Sequence, residues 1–193
     1  MSKIYVDEIT GFEGTETGAP ITLSGDTATL GSGVIFPAGH IITTSTIDWE
    51  KSQASDIDLG STTFAETGIE VSITPKLAAG SSGSKIVLFF HTGSATQTEV
   101  GTTNQLTIAR ATSSSTAIGS ATDLSDSGTT TDYYSPGEVG RYPLSFCFVD
   151  ESGYSAGTTY YYQVYGKSAA ASNPFRIVRA GANYSLIAFE IKQ

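Results

Sequence analysis

Residues 85–92 read KIVLFFHT, and no other stretch constrains the fold as tightly. Successive side chains of a strand alternate between faces, so Ile86, Leu88 and Phe90 lie on one side and Val87 and Phe89 on the other. Both sides are apolar. A strand of this kind is covered on both faces rather than bathed in water. One side belongs to a core, and something must cover the second.

Working outward, strand-length runs alternate with turn signals: HIITTSTIDW (40–49), GIEVSIT (68–74), KIVLFFHT, NQLTIAR (104–110), LSFCFVD (144–150), TTYYYQVYG (158–166), FRIVR (175–179) and YSLIAFEIK (184–192), eight in all. Gly, Ser, Pro, Asn and Asp fill the gaps, as in KLAAGSSGS, SPGEVG and RAGAN. Helical periodicity is missing. The 21 glycines and the 15% charged residues are likewise unlike a helical protein. The class is all-β, and the pattern predicts an antiparallel two-sheet jelly-roll β-sandwich over 40–193. In YSLIAFEIK the set Ser185, Ile187, Phe189 and Ile191 makes the better inward face, since the alternate set includes Glu190. In LSFCFVD, Ser145, Cys147 and Val149 share one face and Leu144, Phe146 and Phe148 the other. Cys147 is the only cysteine, which excludes an intrachain disulfide and thiolate zinc sites, and it reads as a buried structural thiol.

Residues 1–39 differ. KIYVDEI, PITL, TATL and GVIF are short and separated by Gly, too short to enclose a core in one chain, so the segment alone is expected to stay disordered. Copies associating about a common axis would give each piece neighbours and let Ile4, Val6, Ile9, Ile21, Leu23, Leu30, Val34 and Phe36 pack on their equivalents.

A net charge of −9 with 10 basic residues leaves no electrostatic footprint for phosphate backbones, so nucleic acid is not an expected partner. Lys3, Asp7 and Glu8 interrupt the N-terminal stretch where a signal peptide needs an apolar run, and no run reaches the length of a membrane span. A soluble chain, without membrane insertion and not exported by the general signal-peptide route, is expected.

Several stretches, taken in order, resemble the fibre proteins of tailed bacteriophages, marine and cyanobacterial ones especially. SKIYVDEITG (2–11) resembles the family's strand-forming leader, and PITLSGDTATLGSGVIFPAGHII (20–42) its low-complexity shaft and Gly-His-Ile-Ile junction. GIEVSITPKLAAGSSGSKIVLFF (68–90) is similar to its Val-Ser-Ile-Thr-Pro hairpin, LTIARATSSSTAIG (106–119) to an Arg/Ser/Thr segment, FVDESGYSAGTTYYYQVYG (148–166) to a strand pair, and NYSLIAFEIKQ (183–193) to the last strand. The likeness covers nearly the whole chain. It implies a structural virion protein assembled in the bacterial cytoplasm, a homotrimer with a short N-terminal trimeric β stem (1–39) and a C-terminal knob (40–193). The stem would attach to other virion proteins of tail or capsid, and the knob would adsorb to a host cell-surface glycan or protein. The family's long fibres begin with a sizeable docking domain, whereas here the shaft-like leader starts at Ser2. Tail fibre, head fibre and a capsid or tail decoration or connector protein without receptor binding therefore stay open.

His40 falls at the junction, where three copies would meet on the axis; a histidine hydrogen-bonded at a strand start is favoured over an on-axis metal, because no His-x-His pair is present. His91 reads as the end of a buried strand, and a Ser/His/Asp triad is not expected. The carboxylate pairs Asp56/Asp58, Asp123/Asp126 and Asp150/Glu151 sit by turn residues, where Asp caps its own backbone. A non-enzymatic protein without cofactor or metal is expected. Tyrosine is the most suggestive residue type. Tyr160 and Tyr162 share one strand face and Tyr161 and Tyr165 the other, so one pair is nearer the surface. Tyr133, Tyr134, Tyr142 and Tyr154 lie in or beside Gly-rich loops and either stack against ligands or fill the core and subunit interface. The ligand-binding candidates are Tyr133, Tyr134, Arg141 and Tyr142, in the long loop expected before LSFCFVD. Trp49 reads as a core or intersubunit anchor.

Overall fold

In the computed structural model, residues 8–9, 21–24, 27–30, 38–47, 55–96, 103–124, 131–134, 141–172, 174–178 and 180–193 are described. The chain separates into two compact units, Met1–Pro37 and Ala38–Gln193. Among the described residues no helix is long and apolar enough to cross a membrane.

Within the first unit, β1 (Glu8–Ile9), β2 (Ile21–Ser24) and β3 (Thr27–Leu30) form an antiparallel sheet in that order. The register sets Ile9 opposite Ile21, Ile21 opposite Leu30 and Leu23 opposite Ala28. Directly opposed residues share a face, so these apolar positions fall in one row while Glu8, Thr22 and Thr29 occupy the alternate row. The short pieces, expected to stay disordered in a lone chain, thus pair as strands within it. The two residues between Ser24 and Thr27 are a hairpin-length connection, and β2 and β3 satisfy each other's backbone within one chain. Ile4, Val6, Val34 and Phe36 lie outside the described residues.

The second unit holds two antiparallel sheets. One runs β11 (Arg141–Asp150), β7 (Ser84–Thr96), β14 (Tyr184–Lys192), β4 (Ile41–Ile47), with β13 (Phe175–Val178) continuing beside β7 and pairing β5 (Ile57–Leu59). The other runs β10 (Thr131–Tyr134), β8 (Thr103–Ala111), β12 (Tyr160–Lys167), β6 (Ala65–Ile73), with β9 (Thr122–Asp123) also on β8. All eight expected strands are present, several of them longer than their sequence patterns. The short pieces β5, β9 and β10 are additional, because the Asp, Ser and Gly around them read as loop.

One core joins the sheets. Ile69, Val71, Ile73, Leu106, Ile108, Tyr162 and Val164 come from one side and Ile86, Leu88, Phe90, Leu144, Phe146, Leu186 and Ala188 from the other. Each fully buried large side chain contributes about 1.5–3 kcal/mol. The phase of β14 is the reverse of the expected one. Tyr184, Leu186, Ala188 and Glu190 are buried, whereas Ile187, Phe189 and Ile191 lie on the outer face. The physical reason is the partnering of Glu190, described below. Three of the four tyrosines of β12 are drawn inward as well. Tyr160 and Tyr162 are buried, and a register shift between Gln163 and Tyr165 accompanies burial of Tyr165, whose hydroxyl donates to the Thr116 carbonyl. Only Tyr161 is half-buried. Tyr154 is likewise part of the core rather than a loop ring.

Candidate functional site

Two regions stand out, a buried polar network at one end of the sandwich and an uncovered apolar face on the β11-β7-β14-β4 sheet.

The network begins with Glu190, which is 0% exposed. Its Oε2 accepts from the Lys76 backbone N–H (2.8 Å), and its Oε1 from the Leu77 N–H (2.8 Å) and the Ser84 hydroxyl (2.9 Å). Ser84 also bonds the Tyr154 hydroxyl (3.2 Å), and Tyr154 packs edge-on against Tyr160 with ring centres 6.3 Å apart. Arg110 lies over the Tyr160 ring, 5.4 Å from its centre. Its Nη1 donates to Asp150 Oδ2 (2.5 Å) and to the Ser152 carbonyl (2.7 Å), and Tyr162 donates its hydroxyl to the same Asp150 oxygen (2.8 Å). Arg110 and Asp150 thus bridge the sheets as an ion pair, 7% and 3% exposed. Burying such a pair is tolerable only with this completeness of partners. Burial pushes the Tyr154 phenol up to about 12, with the Asp150 and Glu190 charges adding to it, and raises Tyr162 too, again by burial first and the Asp150 carboxylate second. Beside Arg110 opens a cavity of about 260 Å³ lined by Arg110, Thr112, Ser120, Thr122, Gly153 and Tyr160.

Sequence reasoning singled out neither Arg110 nor Glu190. A signal existed for Arg110: Leu106, Ile108 and Arg110 are in phase on β8, as Leu144, Phe146 and Asp150 are on β11, so opposite charges end two inward-facing rows.

The second region follows from the inverted phase of β14. Cross-strand pairs set Phe89 between Ile187 and Cys147, and Val87 between Phe189 and Val149. All lie on the outward side of the ladder, although Val87 is buried among its neighbours and Ile187 and Phe189 are half-buried. Phe89 is 47% exposed and Val149 43%, and Phe89 and Phe189 pack edge to face with centroids 6.1 Å apart. Cys147 is therefore exposed, not buried as its apolar strand suggested, because its face of the sheet has no second layer above it among the described residues. Desolvation by its neighbours still raises its thiol pKa. His91 and Ser145 edge the patch, with His91 Nδ1 2.6 Å from Ser145 Oγ.

The ligand-binding candidates do not form one loop. Tyr133 and Tyr134 are on β10, paired with Asn104 and Thr103 of one sheet, while Arg141 and Tyr142 open β11 and pair with Thr96 and Ala95 of the other. The correction arises because TDYY and RY complete ladders on β8 and β7. The side chains of Tyr133, Tyr134 and Arg141 lie outside the described residues; Tyr142 is exposed. His40 is exposed and its carbonyl accepts from the Lys192 N–H, tying the start of β4 to the end of β14. The carboxylate pairs divide. Asp56 and Asp58 both clamp Arg176 (2.8 and 2.7 Å), whose pKa is raised chiefly by the Asp58 hydrogen bond. Asp123 accepts from Thr107 (2.6 Å), Asp126 lies outside the described residues, and exposed Glu151 is 3.9 Å from Lys85 while Asp150 is buried. Trp49 is outside the described residues. Among the described residues no cluster of three His, Cys, Asp or Glu could hold a metal ion.

Compared with known proteins, the chain matches no protein-family model and no curated protein.

Proposed function

We propose that the chain is a structural virion protein of a tailed bacteriophage, a homotrimeric fibre or spike whose knob is a jelly roll and which adsorbs to the host surface by multivalent binding. The strand order favours a jelly roll: among the longer strands β4, β7, β11 and β14 go to one sheet and β6, β8, β10 and β12 to the other, so the chain crosses between sheets repeatedly. Residues 1–37, a separate β unit with an apolar cross-strand row, suit a stem.

The observation that carries the oligomeric part is the open apolar face. Aromatic and aliphatic residues without acidic neighbours in the same rows match the centre of a subunit interface. A sister copy is the favoured occupant because β4, the strand by which the N-terminal unit enters the knob, is the edge of the sheet bearing this face. Association of the N-terminal units therefore raises the local concentration of that sheet in the other copies. Three linked knobs then strengthen weak receptor contacts by factors of about 10² to 10⁴.

Sedimentation of the full chain tests this. We expect a species of three times the 20.1 kDa chain mass that dissociates in a Phe89→Glu, Val149→Lys variant. A monomer at every concentration overturns the assignment. The purified trimer should compete with the phage for host cells; fragile particles with unchanged adsorption would favour a decoration protein instead.

A further inference from the structure

We propose that the cavity beside Arg110 is a subsite for a sugar acid, with the ligand's carboxylate on the guanidinium and its hydroxyls on Thr112, Ser120 and Thr122. The site deepens the adsorption reading above by naming a ligand class and rests on that reading only for where the ligand comes from.

The argument starts from the donors of Arg110. A guanidinium has five N–H groups in a fixed fork. Asp150 and the Ser152 carbonyl take the two on Nη1. The edge formed by Nε and Nη2 has no hydrogen-bond partner among the described residues, although the side chain is more than nine-tenths buried. That edge is the one that receives a planar carboxylate through two parallel bonds. The ion pair to Asp150 and the Tyr160 ring hold the guanidinium in place before any ligand arrives, so little ordering is lost on binding.

Gly153 supplies an independent observation. It adopts φ +74°, and a Cβ built there would lie 2.8 Å from Nη2. Only glycine leaves the donor uncovered at this point. Apart from Ala111, the rest of the cavity wall is hydroxyl-bearing, with Thr112, Ser120 and Thr122 exposed at its rim. A volume of about 260 Å³ admits one hydroxylated ring, and the polar rim disfavours an apolar side chain of the same size. Those rim hydroxyls are what separates a sugar acid from a peptide carboxylate. The chain's net charge of −9 disfavours a polyanion, so a single carboxylate per binding unit is the fitting ligand.

The test is an NMR titration of the full-length protein with D-glucuronate, with D-glucose and acetate as separate arms. Glucuronate is expected to shift the amides of Arg110, Thr122 and Gly153 with millimolar affinity, at least tenfold tighter than glucose and than acetate. Gly153→Ala should weaken glucuronate at least tenfold by crowding Nη2. Should that variant fold poorly, Ser120→Ala with Thr122→Val alters only exposed positions and should weaken glucuronate at least threefold at unchanged melting temperature. Equal response to glucose and glucuronate, acetate binding as tightly as glucuronate, or glucuronate binding indifferent to these substitutions each overturns the subsite. A chain that binds no glucuronate yet is trimeric and still blocks adsorption would remove the subsite and leave the spike assignment standing.

Discussion

Replacing Glu190 by Leu separates the structure from the pattern rules most sharply. By strand periodicity alone, a carboxylate in phase with Leu186 and Ala188 is a defect, and Leu should improve the strand. The structure predicts the opposite. Glu190 receives two backbone N–H groups and one hydroxyl at 2.8–2.9 Å, all in the connection between β6 and β7 or at its end. Leu leaves the Lys76 and Leu77 amides facing a hydrocarbon. Each buried donor deprived of its acceptor costs about 1–3 kcal/mol, so the two amides sum to about 2–6 kcal/mol, while the Ser84 hydroxyl keeps the Leu77 carbonyl and the Tyr154 hydroxyl as partners. Removing a buried charge recovers part of this, which holds the expected figure near the lower end. Glu190→Gln keeps one carbonyl oxygen for Leu77 and Ser84 but turns its amide toward the Lys76 N–H, and about 1–3 kcal/mol is expected from that single unmet donor. Equilibrium urea denaturation of both variants reads the two losses. Hydrogen exchange adds a local readout, since the Lys76 and Leu77 amides should be protected in the parent chain and exchange faster in Glu190→Gln. A Glu190→Leu protein within 1 kcal/mol of the parent, in these units of stability, would refute the reasoning and return Glu190 to the solvent side.

Other consequences are as direct. Asp150→Ala strands the Arg110 cation and the Tyr162 hydroxyl inside the sandwich and should cost about 3–5 kcal/mol, read as a lowered denaturation midpoint; a companion Arg110→Met change should restore more than half. Stability should fall in alkali: burial raises the folded-state pKa of Tyr154 and Tyr165 to about 12, above the roughly 10 of an unfolded chain. The unfolded state thus ionises first, so this contribution is complete below about pH 10 and is lost as pH rises through 12, about 2–3 kcal/mol per ring. Urea midpoints measured from pH 8 to 12 check it, and an unchanged midpoint across pH 10–12 would contradict it. Cys147, the single thiol, should resist maleimide in the assembled protein and react stoichiometrically once the Phe89→Glu, Val149→Lys pair separates the copies; equal labelling of both would place the interface elsewhere.

Much of the fold was legible. Every long strand announces itself through β-branched and aromatic runs between Gly, Ser and Asp, and KIVLFF already carries the information that two apolar faces exist. The additional strands were not legible, since β9 and β10 are two and four residues long and gain their pairing from β8 rather than from their own composition. The site was the least legible part. The phase of Arg110 with Leu106 and Ile108 hints at an inward cation, but only the fold shows that the row ending in Asp150 opposes it, at 2.5 Å.

The error over β14 has a single physical origin that also accounts for the open face. Alternation leaves a strand two choices, and burying the Ile187, Phe189, Ile191 set would maximise apolar area from this strand alone. The chain takes the other choice because Glu190 then closes the backbone donors of the β6–β7 connection, and unmet buried donors cost more than exposed methyl groups return. The direct result is that Ile187 and Phe189 join Val87, Phe89 and Val149 on the side that has no second layer among the described residues. A polar demand inside the sandwich thereby creates the hydrophobic surface outside it, and the same strand that stabilises one knob supplies the face on which sister copies are proposed to meet.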